Sequence, residues 1–293
     1  MKTKLTIAQN LLSIAAPILA SSVLAASPSM AATFASAEAN VFIENFSQTP
    51  NDIGTSTQTN TVAVVPNSSD ANSGNEQNVL SSSISNAADA RAEANAIFFA
   101  DNPAFAANSI LSNAFGEGQN FLGLAQSEAS VLGRFFLAPE PDGTESFSFD
   151  FTAFFDLETS GVQSKAVADI SFLVLGGTDP NQANQTVFDF FSVSGELKTT
   201  GEDDIFSVEA SDNFTLNTFL PSGELGWDLE EEFASVVAMG SYEREFRRPT
   251  YLTLIEAKRT EVTVQAPEPT SILGLLAFGG LLSLTCRSKR RTS

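Results

Sequence analysis

Carboxylates are the only abundant reactive side chains in this sequence. Of 293 residues, 35 are acidic and 15 basic, for a net charge of −20, and there is no histidine and a single cysteine. That inventory excludes a Ser-His-Asp triad, a histidine general base, a Cys/His zinc centre and a disulfide framework. What remains is oxygen chemistry. Glu202, Asp203 and Asp204 follow a glycine turn, Asp228, Glu230, Glu231 and Glu232 follow Trp227, and Glu140, Asp142 and Glu145 bracket a third turn. Acidic loops offer ligands to Ca²⁺, which takes about six to eight oxygens. Glu202, Asp203, Asp204, Asp228 and Glu230 are the candidate set. None of these loops matches the EF-hand spacing or the glycine-rich nonapeptide repeat. The alternative for the same residues is a solvated acidic surface. A facing pair of carboxylates would hydrolyse glycosides, but acids spread over separate loops are what any strongly acidic domain displays.

Two further groups of side chains could bind rather than react. Trp227, the single tryptophan, stands in SGELGWDLEEEF beside the acids, where an exposed ring would stack on a sugar, with Tyr242 and Tyr251 as helpers. Its alternative role is to cap one end of the fold. Arg244, Arg247, Arg248, Lys258 and Arg259 gather near the C-terminal part. They either grip an acidic polysaccharide or pair with Glu243, Glu245, Glu256 and Glu261 across a hairpin near Pro249.

The elements that would position these residues read as strands. Phe147, Phe149, Phe151 and Ala153 alternate with Ser148, Asp150 and Thr152. The same period of two runs through 88–97 and 125–136, and outweighs the helix preference of alanine in the first of these. Further strands are expected at 166–175, 186–197, 205–210, 233–246 and 250–264. The turn signals are Pro141-Asp142-Gly143, Gly176-Gly177, Asp179-Pro180-Asn181, Thr200-Gly201 and Pro221-Ser222-Gly223. This spacing predicts an all-β fold, a single antiparallel β-sandwich or jelly-roll-like domain over 33–265. With 25 phenylalanines against two tyrosines, the core is expected to be packed by Phe. Phe98, Phe99, Phe154, Phe155, Phe190 and Phe191 are all expected between the sheets. The Ser/Thr/Asn-rich stretch 47–85, after a first strand at about 39–46, reads either as a long loop or as an edge region with one strand at 60–66. ASAEAN at 35–40 and ARAEAN at 90–95 share five of six residues. A duplicated strand motif and coincidence both remain open.

The two ends differ from the middle. Residues 1–32 read as a cleavable secretory signal: Lys2 and Lys4, a mostly apolar run over 5–24, then small residues around Ala25 and Ala31-Ala32. At the other end Pro267, Glu268 and Pro269 precede the uncharged, largely apolar 271–286, and Arg287, Lys289, Arg290 and Arg291 follow. As a helix, 271–286 spans about 24 Å, slightly short of a hydrocarbon core of about 30 Å. Local thinning of the bilayer and snorkelling arginines can make up the difference. The basic tail belongs on the cytoplasmic side as a stop-transfer signal. In this order, at the extreme C-terminus and opposite an export signal, residues 266–293 resemble the PEP-CTERM sorting tail of Gram-negative and cyanobacterial exported proteins. The resemblance implies that an exosortase, a membrane cysteine protease, reads Pro267, Glu268 and Pro269 and removes the tail. The alternative is a permanent single-span anchor.

Six basic residues and one acid leave with these ends, so the mature chain carries −25 where the whole chain carries −20. Such a charge disfavours nucleic acid and anionic membranes as partners. The expected function is a non-enzymatic protein of the cell surface or extracellular matrix, exported through the inner membrane, anchored transiently by its C-terminal helix and associated with exopolysaccharide. No cofactor is required, with Ca²⁺ the candidate. The alternative is a lectin-like carbohydrate-binding sandwich built on Trp227, with or without Ca²⁺.

Overall fold

A computed structural model of the chain describes residues 32–64, 72–76, 79–84, 87–101, 103–118, 121–161, 163–199, 204–224 and 231–266. Apart from Ala32 and Ala266, the expected export signal and sorting tail lie outside them. Among the described residues no helix is long and apolar enough to cross a membrane.

The alternating residues form strands. In chain order these are β1 (Ala32–Glu44), β2 (Asp52–Val64), β3 (Asn72–Glu76), β4 (Val79–Ile84), β5 (Ala88–Phe99), β6 (Phe105–Glu117) and β7 (Leu122–Leu137). They are followed by β8 (Glu145–Ser160), β9 (Ser164–Gly177), β10 (Thr186–Lys198), β11 (Ile205–Ala210), β12 (Phe214–Glu224), β13 (Glu231–Phe246) and β14 (Thr250–Gln265). A short 3₁₀ turn, Gln182–Asn184, joins β9 to β10. The strands make two seven-stranded sheets, in the orders β12-β13-β8-β1-β6-β5-β4 and β11-β10-β9-β14-β7-β2-β3. Every pairing is antiparallel. The central strands β1 and β14 face one another. The protein is therefore all-β, two antiparallel sheets packed face to face, consistent with a β-sandwich.

Two kinds of side chain fill the gap between the sheets. On one side are rings: Phe147, Phe149, Phe151 and Phe155 of β8 meet Phe172, Phe191, Phe214 and Tyr242, all buried. Neighbouring ring centroids in this group lie 4.9–6.3 Å apart, within the range of favourable offset and edge contacts. On the other side are methyls: Ala35, Ala37 and Ala39 of β1 and Ala88, Ala90, Ala92 and Ala94 of β5 are buried. The two related hexapeptides do not pair with each other. They flank β6 in the same register, Ala35 and Ala90 both opposite Ala114, and Ala37 and Ala92 both opposite Ser112. The shared motif thus lays the same small-residue face on both sides of one strand. Small residues let the layers approach until even a methyl is excess: a Cβ on Gly116 would overlap the Phe121 ring.

Three expectations need correction. The Phe-Phe pairs do not lie between the sheets as units. Phe98, Phe155 and Phe191 are buried, whereas Phe99 and Phe190 are exposed and Phe154 lies on the outer face against Phe42. A strand sends successive side chains to opposite faces, so one ring of each pair has to point outward. Pro221-Ser222-Gly223 is not a turn but part of β12, paired with β13. This edge strand tolerates the missing N–H of proline. The stretch 47–85 holds three strands, β2, β3 and β4, rather than one. Serine and threonine, weak apolar signals, are accepted there because they line the thin half of the core: Thr61 and Ser83 are buried and hydrogen-bonded at 2.9 Å.

The central strand β14 also carries charge inward. Glu256 and Lys258 are buried, and both are tied to Asn108 of β6. The Asn108 side-chain amide donates to the Glu256 carboxylate, and the Lys258 ammonium donates to the Asn108 carbonyl oxygen. Burial pushes Glu256 up to about 7, opposed by Lys258 and Asn108. Burial likewise pulls Lys258 down to about 7, opposed by Glu256 and Glu38.

Two measurements test this core. Phe149→Ala is expected to lower the unfolding free energy by about 3–5 kcal/mol in a urea titration, while Asn95→Ala on the outer face stays within about 0.5 kcal/mol. Lys258→Met alone strands a buried carboxylate and is expected to cost about 3–5 kcal/mol, while Glu256→Leu with Lys258→Met is neutral or stabilising. The raised Glu256 pKa favours folding below its ordinary 4.5, and that benefit is lost as pH rises through about 7. The lowered Lys258 pKa favours folding above its ordinary 10.5, and that benefit is lost as pH falls through about 7. The advantage of the double variant over the wild type should therefore peak near pH 7 and shrink toward acid and alkali. A flat difference would show that the pair is not held as described.

Candidate functional site

A cleft of about 290 Å³ opens where β7, the start of β14, the entry to β2 and the β9–β10 connection meet. Strand register builds it. Arg134 of β7 lies beside Asp52 on one side and Thr253 on the other. One row further along, Phe136 lies directly opposite Tyr251. All five lie on the outer face of the second sheet. The Arg134 guanidinium donates to the Asp52 carboxylate, and the Asn51 N–H donates to the Arg134 carbonyl at 2.7 Å. The Phe136 and Tyr251 rings are in contact, tilted at 36° with centroids 4.6 Å apart, and Phe136 remains 42% exposed.

The β9–β10 connection supplies the opposite wall with Pro180 and Gln185. Asp179 holds it in shape. One of its carboxylate oxygens accepts the Asn181 N–H at 2.8 Å and the other the Asn184 amide at 2.7 Å, and these bonds keep its pKa below the usual carboxylate range. Gln185 donates its side-chain amide weakly to the Tyr251 and Asp179 carbonyls, both at 3.4 Å. Its amide oxygen and the hydroxyl of Thr253 are buried without a hydrogen-bond partner. Thr253 is completely buried. Two unpaired polar atoms in one cleft are notable, because buried polar groups are nearly always satisfied. Among the described lining residues Asp52 is the only carboxylate and is already ion-paired. The arrangement offers an aromatic wall and converging donors and acceptors, but no pair of free carboxylates for acid–base work.

The residues expected from sequence to form a site fare differently. Trp227, Glu202, Asp203, Asp228 and Glu230 lie outside the described residues, as do Pro267, Glu268, Pro269 and the basic cluster Arg287, Lys289, Arg290 and Arg291. Asp204 is described: its carboxylate accepts the Lys198 N–H at 3.2 Å. It also comes near Glu232, whose carboxyl is pushed up to about 7, mainly by burial and further by the charge of Asp204. Asp204 and Glu232 are thus close enough in the fold to repel one another. Among the described residues no group of three acids, cysteines or histidines could hold a metal ion. In the third acidic turn Glu145 is a staple, accepting from the Ala138 N–H at 2.6 Å and the Gln48 amide at 2.9 Å.

Tyr251 lines the cleft, whereas Tyr242 is fully buried in the core. The Tyr242 hydroxyl donates to Asp189 at 2.8 Å, as do Arg244 at 2.8 Å and Asn213 at 2.9 Å. Burial would raise the Asp189 pKa, but the hydrogen bonds from Arg244, Asn213, Tyr242 and Ser211 outweigh it and leave the carboxyl below its usual value. The Arg244 guanidinium also sits 4.5 Å from the Phe188 ring centroid. Arg244 is thus a structural cation rather than a free one. Arg259 pairs with Glu128 of β7 and with Glu261 two residues on in its own strand; the expected hairpin across Pro249 does not form, because β13 and β14 belong to different sheets.

No protein-family model matches the chain, and neither a curated protein nor a solved structure is significantly similar to it. The cleft residues escape a reading of the sequence because they come from four separate segments. A lone arginine followed by two phenylalanines in β7 is the only local signal.

Tyr242→Phe removes one of the donors to the buried Asp189 and is expected to cost about 1.5–3 kcal/mol by urea titration. Because its pKa is lowered in the folded state, Asp189 contributes stability above its ordinary 3.8 that is lost as pH falls through the lower folded value. Asp189→Asn should therefore be less stable than wild type at neutral pH, and the gap should close in strong acid. A gap independent of pH would contradict this network.

Proposed function

We propose that this chain is a non-enzymatic, exported protein of the cell surface or extracellular matrix. Its folded part is a single jelly-roll-like sandwich, and an exosortase processes its C-terminal tail. The cleft carries the functional half of this reading. Its aromatic wall and converging polar groups suit holding a ligand, and its one carboxylate is engaged by Arg134. The Pro267-Glu268-Pro269 tail, with its PEP-CTERM resemblance, supports the export half. The natural contact for such a protein is exopolysaccharide, and the strong negative charge argues against nucleic acid. The lectin-like alternative is supported by the same cleft rather than by Trp227.

The test is to express the full chain in an exosortase-bearing host, fractionate the culture and take intact masses. The expected product lacks residues 1–32 and the tail from about Pro267, and is recovered at the surface or with extracellular polymer. Replacing Pro267, Glu268 and Pro269 together by alanine should leave the tail attached and the protein in the membrane fraction. Recovery of an unprocessed chain from the cytosol would overturn the proposal.

A further inference from the structure

We infer that the cleft between Phe136, Tyr251, Arg134 and Gln185 is a binding site for a neutral pyranose, a site that rests on the proposed role outside the cell and gives that role its ligand class. Three observations lead to it. The first is the wall. Phe136 and Tyr251 are neighbours in ring contact on β7 and β14, and the partly exposed Phe136 gives the cleft apolar aromatic surface. A pyranose has a matching C–H face, and aromatic rings with a polar handle suit such amphipathic surfaces. The second is the polar set. Asp52 supplies acceptors, Arg134 and Asn51 supply donors, and all three line the same cleft. Adjacent hydroxyls on a sugar ring each donate and accept, so they can bridge a carboxylate and a guanidinium without separating the pair's charges.

The third observation is what the cleft lacks. The Gln185 amide oxygen and the Thr253 hydroxyl are buried and have no partner among the described residues. A ligand hydroxyl supplies an O–H to the first and either half of a hydrogen bond to the second. Because leaving such groups unpaired is unfavourable, a ligand that pairs them gains affinity and selectivity.

Charge decides between neutral and acidic sugars. The Arg134 charge is compensated by Asp52, and the chain as a whole carries −20. Among the described lining residues an anionic saccharide would meet no free cation, and it would meet a repulsive field on approach. A cleft of about 290 Å³, at the low end of the range of about 300–1,000 Å³ for small-molecule sites, suits a sugar unit at a chain end or branch rather than a long buried polymer.

The experiment is isothermal titration of the purified full chain with maltopentaose, cellopentaose, mannopentaose and galactopentaose, and with polygalacturonate as the acidic comparator. At least one neutral oligosaccharide is expected to bind and polygalacturonate is not. Tyr251→Ala and Phe136→Ala should each weaken binding by about tenfold, the loss expected for an aromatic contact. Arg134→Gln should do the same, and Tyr251→Phe should retain most of the affinity. If the alanine variants unfold, by circular dichroism, Arg134→Gln and Tyr251→Phe still decide the matter. The inference fails if no neutral oligosaccharide binds the folded chain, if polygalacturonate binds in preference, or if Arg134→Gln leaves affinity unchanged. Fractionation separates this failure from that of the wider reading. A chain recovered with extracellular polymer but blind to all four oligosaccharides loses only the pyranose site. A chain that binds them from the cytosol keeps the site and loses the role.

Discussion

The depth of the gap between the two sheets governs the rest of this protein. One half of the gap is propped by rings from β8, β9, β10, β12 and β13, and the other is closed down to methyl groups on β1 and β5. A sandwich packed at interior density cannot mix the two freely, because a void or an overlap of one methylene is already felt. The strands facing the alanines therefore bring small or short polar residues. Ser112, Ser127 and Thr260 are buried there and bond among themselves, Ser112 to Ser127 at 3.1 Å and to Thr260 at 2.9 Å. Such hydroxyls are acceptable inside because each finds a partner in the opposing layer. Glu256 and Lys258 lie next to Thr260 on the same inward face of β14, and Asn108 links them to the other sheet.

The same registers that fill the gap also fix the outer surface. A strand shifted by one residue exchanges its two faces. The inward row of β7, ending in Val131, Phe135 and Leu137, thus dictates that Arg134 and Phe136 point outward. The inward Leu252 and Leu254 of β14 place Tyr251 and Thr253 on the outer face as well. The cleft is a by-product of core packing on one face, completed by a loop that Asp179 holds rigid. This gives it the preorganisation that a binding site on mobile loops would lack.

Much of the fold is legible in the sequence, because alternation is a local signal. β8, β9, β10, β11, β13 and β14 fall within a few residues of where their patterns place them. β6 and β12 are not legible. β6 mixes Asn108, Ser109 and Ser112 among its apolar residues, and the buried Asn108 and Ser112 find their side-chain partners Glu256, Ser127 and Thr260 across the sandwich, beyond any local pattern, while β12 contains a proline and a glycine that edge pairing tolerates. Clusters of phenylalanine mislead for a different reason. Their composition speaks for the core, but the geometry of the strand allows only every second ring to enter. The cleft is the least legible part, since Asn51, Arg134, Gln185 and Tyr251 become neighbours only through pairings between residues far apart in the chain.

Electrostatics ties the fold to the proposed site. Most of the cations of the folded part have structural partners: Arg91 with Glu93, Arg134 with Asp52, Lys165 and Lys198 with Glu196, Arg244 with Asp189, and Arg259 with Glu128 and Glu261. The exposed pairs among these add little stability, but all of them withdraw positive charge from the surface and leave the acidic excess to set its potential. That potential repels anionic polymers and membranes at long range. On the proposed reading, contacts in a hydrated extracellular matrix then come from uncharged chemistry: a ring face, hydroxyls and amides. The cleft is built from those groups, with its one ion pair closed on itself. On the proposed reading the basic residues of the C-terminal tail belong to the other side of the membrane, so the charge asymmetry along the chain would serve both sorting and solubility, while recognition rests on neutral groups.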